Sequence, residues 1–116
     1  MRKTETLASR LFALDPAIRY VAVNREGRVI EMEQHPDHPS HNAAETDRME
    51  ELLLNPLVLE GTRRRGDLDL GGVRFVVIRY GVQFQAILPI PGGDVSLGIE
   101  PEAEPIAIAE KAALAL

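Results

Sequence analysis

The sequence predicts an α/β (α+β) fold in which a central, mostly antiparallel five-stranded sheet carries helices on both faces. Three apolar runs between Val73 and Ile99 are separated by Gly81 and by the turn residues 91–94, as in strands joined by tight turns. An earlier strand–turn–strand pattern and helical patterns at the start, middle and end supply the other elements. The predicted order is α-β-β-α-β-β-β-α, with helices available to cover both faces of the sheet.

Length and composition predict one domain over residues 1–116. No apolar run approaches the ~20 residues that a membrane-spanning helix needs, and the N-terminus lacks the apolar core of a signal peptide, so we expect no membrane insertion. Cysteine is absent, which excludes disulfides, thiol nucleophiles and cysteine-based metal sites and is compatible with a cytoplasmic location. We expect no cofactor.

The net charge of -5 argues against nucleic-acid binding, because displacing phosphate counterions needs a basic face. Aromatic residues make up only 4% of the chain, so stacking platforms for single-stranded nucleic acid are also not expected.

The first helix is predicted over Thr4–Leu14, with Thr4 or Thr6 as its cap. A hairpin follows, with strands Ile18–Val23 and Arg28–Gln34 joined by a turn over residues 24–27, in which Gly27 is free to take positive φ.

A middle helix is predicted over Asn42–Leu54, with an apolar inner face that consists of Met49, Leu52 and Leu53. The pair at 55–56 should interrupt it, because Pro56 suits the first turn of a new helical piece reaching about Arg64. Gly66 is expected to stop that second piece.

The strand that begins at Val73 has few polar positions, which predicts burial on both faces for much of its length. Strands over Val82–Leu88 and Val95–Ile99 follow. The closing helix, from about Pro105 to Leu116, has its apolar positions at Ile106, Ala109, Ala113 and Leu116.

All three histidines of the chain lie in one short loop, together with an aspartate: His35, Asp37, His38 and His41. Histidine and carboxylate side chains are ligands for zinc and other divalent metals. The spacing matches no recognised zinc signature, and two prolines restrict the loop. A solvated polar loop is therefore the favoured interpretation, with a metal site as the alternative.

Arg63, Arg64 and Arg65 form the only basic run of the sequence. Such a run binds an acidic partner surface or a phosphate. The most specific version of this hypothesis is an arginine finger that stabilises the transition state of a GTPase. The alternative is that these cations stabilise the C-terminal end of the helix that starts at Pro56.

The order of elements resembles the roadblock/LC7 domain, within the profilin-like and longin-like folds. The residues that carry the resemblance are LASRLFALDPAIRYVAVNREGRVIE at the start, then VRFVVIRYG, VQFQAILPIPGGDVSLGIE and the closing Ala-rich helix. The interruption at 55–56 is a departure, because many members of the family have one continuous helix there.

The resemblance implies that the first strand pair lies beside the last strand. It also implies a non-catalytic platform that forms a homodimer and binds a protein partner, with a small Ras-like GTPase as the first partner to test. The alternative function is a small-molecule-binding sensor domain of PAS or profilin-like type, whose cavity would be lined by aromatic residues of the strands.

Overall fold

The computed structural model describes residues 6–37 and 44–116. In these residues, helix α1 (Leu7–Phe12) precedes a hairpin that consists of strands β1 (Ile18–Arg25) and β2 (Arg28–Gln34). Three consecutive helical segments follow: α2 (Ala44–Met49), a π-helical turn (Glu50–Leu54) and α3 (Asn55–Asp69). Strands β3 (Val76–Arg79), β4 (Phe84–Ile90) and β5 (Gly93–Ile99) then lead to α4 (Pro105–Ala115). The elements follow one another in the predicted order.

The described strands form one sheet in the order β2-β1-β5-β4-β3, and every neighbouring pair is antiparallel. The first hairpin lies beside the last strand, with Val21 opposite Leu97. Strands β2 and β3 are therefore the two edges. The prediction that the strand from Val73 is buried on both faces is wrong, because β3 has only four residues and is half-buried at an edge with a neighbour on one side.

One face of the sheet is apolar and is covered by the first and last helices. Side chains from β1, β4 and β5 join residues of α1 and α4 in one buried cluster, which includes Leu11, Val21, Leu88, Leu97 and Ile108. The inward side chains of α4 are Ile108, Ala109 and Ala112. The predicted inner positions Ile106 and Leu116 are instead exposed.

The other face of the sheet is polar and is covered by the run of helical segments between residues 44 and 69, called here the middle helix. Successive side chains of a strand point to opposite faces. The side chains of Tyr20 and Asn24 therefore alternate with those of Val21 and Val23, and the former two hydrogen-bond to the middle helix. Helices cover both faces of the sheet, as the sequence predicts.

Candidate functional site

The middle helix runs through the predicted interruption. Met49, Leu54 and Asn55 all keep right-handed helical backbone angles. A proline inside a helix lacks an N–H and clashes with the carbonyl four residues earlier. The π-helical turn before Pro56 accommodates it, because the Asn55 N–H donates to the carbonyl of Glu50, five residues earlier. The predicted division of the middle helix into two pieces is therefore wrong. The interruption at 55–56, which was the departure from the roadblock/LC7 pattern, is not present.

Gly66 does not stop the helix, which continues to Asp69. A Cβ at this position would lie 3.1 Å from the backbone carbon and oxygen of Gly72. The carbonyl of Gly66 also accepts hydrogen bonds from the backbone N–H groups of Leu70 and Gly72. The glycine is needed inside the helix because the following loop folds back against it.

The side of the middle helix that faces the sheet is polar. Its buried side chains are Asp47, Glu51, Asn55 and Leu59, at regular spacings of four. The predicted inner residues Met49, Leu52 and Leu53 are exposed instead. The prediction was wrong because it assumed an apolar sheet beneath the helix, whereas this face of the sheet presents polar side chains to it.

Glu51 is the centre of a buried hydrogen-bond network between helix and sheet. It is 1% exposed and accepts hydrogen bonds from Asn24 Nδ2 at 2.7 Å, Asn55 Nδ2 at 3.0 Å and the Tyr20 hydroxyl at 3.0 Å. The Ser96 hydroxyl also hydrogen-bonds to Glu51. Most buried polar groups in proteins are paired in this way, so the network fixes the helix on the sheet.

Burial raises the pKa of several acidic groups in this network. It raises the pKa of Glu51, although hydrogen bonds from Asn24, Ser96 and Tyr20 pull in the opposite direction. Burial likewise raises the pKa of Asp94, which the Asn24 amide and the charge of Arg63 partly offset. Charged carboxylates lose hydration on burial, so these groups hold their protons to higher pH than exposed ones do.

The opposite side of the middle helix is apolar and exposed. Met49, Leu53 and Leu57 are between 57% and 68% exposed, and we call these three residues the outer apolar face. Each lies two positions from an inward residue, which is roughly 200° around a helix with 3.6 residues per turn. Contiguous exposed apolar side chains on a helix are typical of protein-interaction surfaces.

A cavity of about 430 Å³ lies between the C-terminal half of the middle helix and the sheet. Asn24, Glu51 and Asp94 contribute polar groups to its lining, and Leu59 contributes an apolar one. Asn24 Nδ2 donates to both carboxylates, at 2.7 Å to Glu51 and 2.9 Å to Asp94.

The arginine run is divided by the helix. Arg64 forms an ion pair with Glu60 at 2.8 Å, and Arg65 forms one with Asp69 at 2.6 Å. Arg63 and Arg64 both line the cavity. The interpretation that all three cations stabilise a helix end is wrong, because the helix continues to Asp69 and has no basic residue in its last turn.

Of the histidine cluster, the structure describes His35 and Asp37, whereas His38 and His41 lie outside the described residues. His35 packs edge-on against Phe12 with ring centroids 5.7 Å apart, and its Nδ1 accepts the Asp37 N–H at 3.1 Å. Within residues 6–37 and 44–116, no group of three potential ligands is arranged to hold a metal ion. The four-residue metal site stays a prediction.

Sequence reasoning missed Asn24, which it placed in the turn. Strand β1 continues to Arg25, and the turn consists of Glu26 and Gly27, with φ of 52° and 74°. Two positive φ angles are typical of the tight two-residue turns of hairpins. The pair Glu26-Gly27 was the sequence signal for a two-residue turn. A turn of that length places Asn24 in strand β1, opposite Asp94 of β5.

In the described part of the chain, no helix is both long and apolar enough to cross a bilayer.

Two solved structures share this architecture. The crystal structure of a roadblock/LC7 domain from Streptomyces avermitilis has a TM-score of 0.69 and 19% sequence identity, and the match covers 97% of this chain and 91% of that chain. A structure of MglB with a tetrameric arrangement has a TM-score of 0.64 and 14% identity, with 98% and 90% covered. The chain therefore has the roadblock/LC7 fold. No protein-family model and no curated protein sequence matches it.

Proposed function

We propose that this chain with a roadblock/LC7 fold is a non-catalytic, cytoplasmic interaction module, a single domain that self-associates and binds a protein partner. The observation that carries the proposal is the orientation of the middle helix, whose polar side lies on the sheet and whose outer apolar face is exposed. Burying a leucine or methionine side chain is worth roughly 1.5–3 kcal/mol, so covering this face is favourable.

A second copy of the chain is the occupant that we favour for the outer apolar face. A two-fold symmetric interface brings the same patch of both subunits together, so one apolar helix face can pack against itself. The tetrameric arrangement described for the MglB structure supports self-association of this fold.

Sedimentation velocity tests the self-association. The wild-type chain should sediment as a dimer, and Leu53→Glu should sediment as a monomer, because a buried unpaired carboxylate opposes the interface. Leu114→Glu is the matched control, because Leu114 is exposed on α4, outside the outer apolar face. A monomeric wild type, or a dimer that persists in Leu53→Glu, would contradict the proposal.

For the protein partner we propose a small Ras-like GTPase, which the resemblance implies, and the run Arg63–Arg65 as part of the contact. Arg64 and Arg65 are exposed, and among the described residues each forms its ion pair within its own helix. Exposed ion pairs of this kind contribute little, about 0–1 kcal/mol, so both guanidinium groups can be redirected to carboxylates of a partner at small cost.

The partner proposal is tested by capture of a GTPase from lysate in the presence of GDP or of a GTP analogue. We expect recovery in one nucleotide state and reduced recovery by the double variant Arg64→Gln/Arg65→Gln. The control is Arg28→Gln, which removes an exposed arginine from strand β2. Equal recovery with both nucleotides, or none, contradicts a nucleotide-dependent partner.

A further inference from the structure

The cavity beneath the middle helix has an acidic floor formed by Glu51 and Asp94, with the Asn24 amide between them. Asn24 and Asp94 are 6% and 4% exposed, and Glu51 lies beside them. Both available protons of the Asn24 amide are used on the two carboxylates. The buried Oδ1 of Asn24 finds no donor among the described residues. The acceptors that line the cavity are therefore the carboxylates, and Asp94 receives the Asn24 amide at one oxygen, Oδ1.

The mouth of the cavity carries a cation, Arg63, that has no hydrogen-bonding partner among residues 6–37 and 44–116. Glu60, Arg63, Arg64 and Asp67 line it, and Arg64 is paired with Glu60. Arg63 forms no ion pair or side-chain hydrogen bond with any residue that the structure describes. Its charge nevertheless acts on Asp94, lowering the pKa of that carboxyl against the effect of burial. A free guanidinium thus stands near an acidic floor.

The remaining wall is apolar. Leu52, Pro56 and Leu59 line the cavity on the helix side. The volume of about 430 Å³ is within the range of small-molecule sites, which combine apolar walls with a few polar groups that fix the orientation of a ligand. The site therefore offers acceptors at the floor, a cation at the mouth and an aliphatic surface between them.

We propose that this cavity binds a small zwitterion of the aliphatic α-amino acid class. The ammonium group is bound by the Asp94 carboxylate at the floor of the cavity. The carboxylate of the ligand accepts a two-pronged hydrogen bond from the Arg63 guanidinium, the geometry that arginine prefers. The aliphatic side chain packs on Leu52, Pro56 and Leu59.

This inference goes beyond the proposed interaction function and is independent of it. The cavity lies on the sheet side of the middle helix, whereas the outer apolar face points away from the sheet. Arg63→Gln should therefore weaken ligand binding and leave the sedimentation of the chain unchanged. Leu53→Glu should do the reverse.

The probes are L-alanine, L-valine, L-leucine and L-isoleucine, titrated by isothermal calorimetry and followed by the melting temperature of the full chain. A ligand that binds only the native state must raise its melting temperature. We expect at least one of the four to do so. Its two analogues, the amine without the carboxylate and the acid without the ammonium group, should bind about tenfold more weakly or worse, because each loses one charged contact.

Two variants locate the site. Asp94→Asn and Arg63→Gln should each weaken binding about tenfold or more. Arg65→Gln, two positions along the helix and paired with Asp69 outside the cavity, should bind as the wild type does. Arg63 is exposed, so its replacement leaves the fold intact. The binding measured for Arg63→Gln therefore tests the proposal even if Asp94→Asn fails to fold. No binding by any of the four amino acids, or wild-type binding by Arg63→Gln, overturns the proposal.

Discussion

The Glu51 carboxylate and the Asn24 amide, 2.7 Å apart, join the middle helix to strand β1. Both side chains are buried, and the same amide also holds Asp94 at 2.9 Å. This pair places a polar side of the helix against the sheet. Because the other side of the helix then faces solvent with its leucines, the buried polar contact and the exposed interaction surface are two consequences of one orientation.

We predict that Glu51 makes the folded chain less stable as the pH rises. Burial raises the pKa of Glu51 above its ordinary value of 4.5. The folded chain therefore keeps a proton that the unfolded chain releases above pH 4.5, and the free energy of unfolding falls with pH until the folded carboxyl ionises as well. Glu51→Gln, which cannot ionise, should reduce this fall when urea denaturation is followed across a pH series.

The control for that series is Glu102→Gln, at an exposed position ahead of α4, which should keep the wild-type pH dependence. Part of the fall should persist in Glu51→Gln, because burial raises the pKa of Asp94 and Glu50 in the same direction. A pH profile of Glu51→Gln identical to that of the wild type would show that Glu51 is not the titrating group.

Tyr20→Phe should destabilise the fold by about 1–3 kcal/mol, because it removes the hydroxyl that donates to Glu51 Oε2 in a buried network. Tyr20 is 1% exposed, so water cannot easily replace the lost hydroxyl. Urea denaturation measures the change. The matched control is Tyr80→Phe, since Tyr80 is less buried and hydrogen-bonds to Glu50, and it should cost less. Equal losses in the two variants would argue against a special role for Tyr20.

Two glycines of the middle helix should respond differently to alanine. Gly61→Ala should stabilise the chain by about 0.5–1 kcal/mol, because a Cβ there meets nothing within 4 Å and alanine is the better helix former. At Gly66 a Cβ would lie 3.1 Å from the backbone of Gly72 and 3.2 Å from a methyl group of Val73. Gly66→Ala should therefore be less stable than Gly61→Ala in thermal denaturation, and the opposite ranking would contradict the close contact.

Most of the fold could be predicted from local patterns. Alternation and turn residues located the strands, and the hairpin order led to the antiparallel sheet, because strand periodicity and turn chemistry act over a few residues. The burial of the run at Val73 could not be predicted, since an apolar strand at the edge and one in the centre have the same sequence pattern. Strand β3 is at the edge because of pairings far apart in the chain.

The candidate site was predicted less well. Periodicity identified the two faces of the middle helix but not which of them lies inside, because it records only that Met49 and Leu53 share a side. Which face of the helix is buried depends on the side chains of the sheet beneath it. Those side chains are Tyr20, Asn24 and Ser96, from strands distant in sequence. Once Asn24 was assigned to a turn, no signal remained to pair it with Glu51 or Asp94.

The measurement that tests the central claim most directly is disulfide cross-linking at the outer apolar face. The chain contains no cysteine, so Leu53→Cys and Leu57→Cys each introduce a single thiol at a defined position. A disulfide needs the two Cα atoms to lie within about 4.4–6.8 Å of each other, so it reports close approach of two copies. Under mild oxidation, a covalent dimer from either variant, and not from the control Leu114→Cys, is the predicted result. No covalent dimer from both variants, or a dimer from Leu114→Cys alone, would contradict the account.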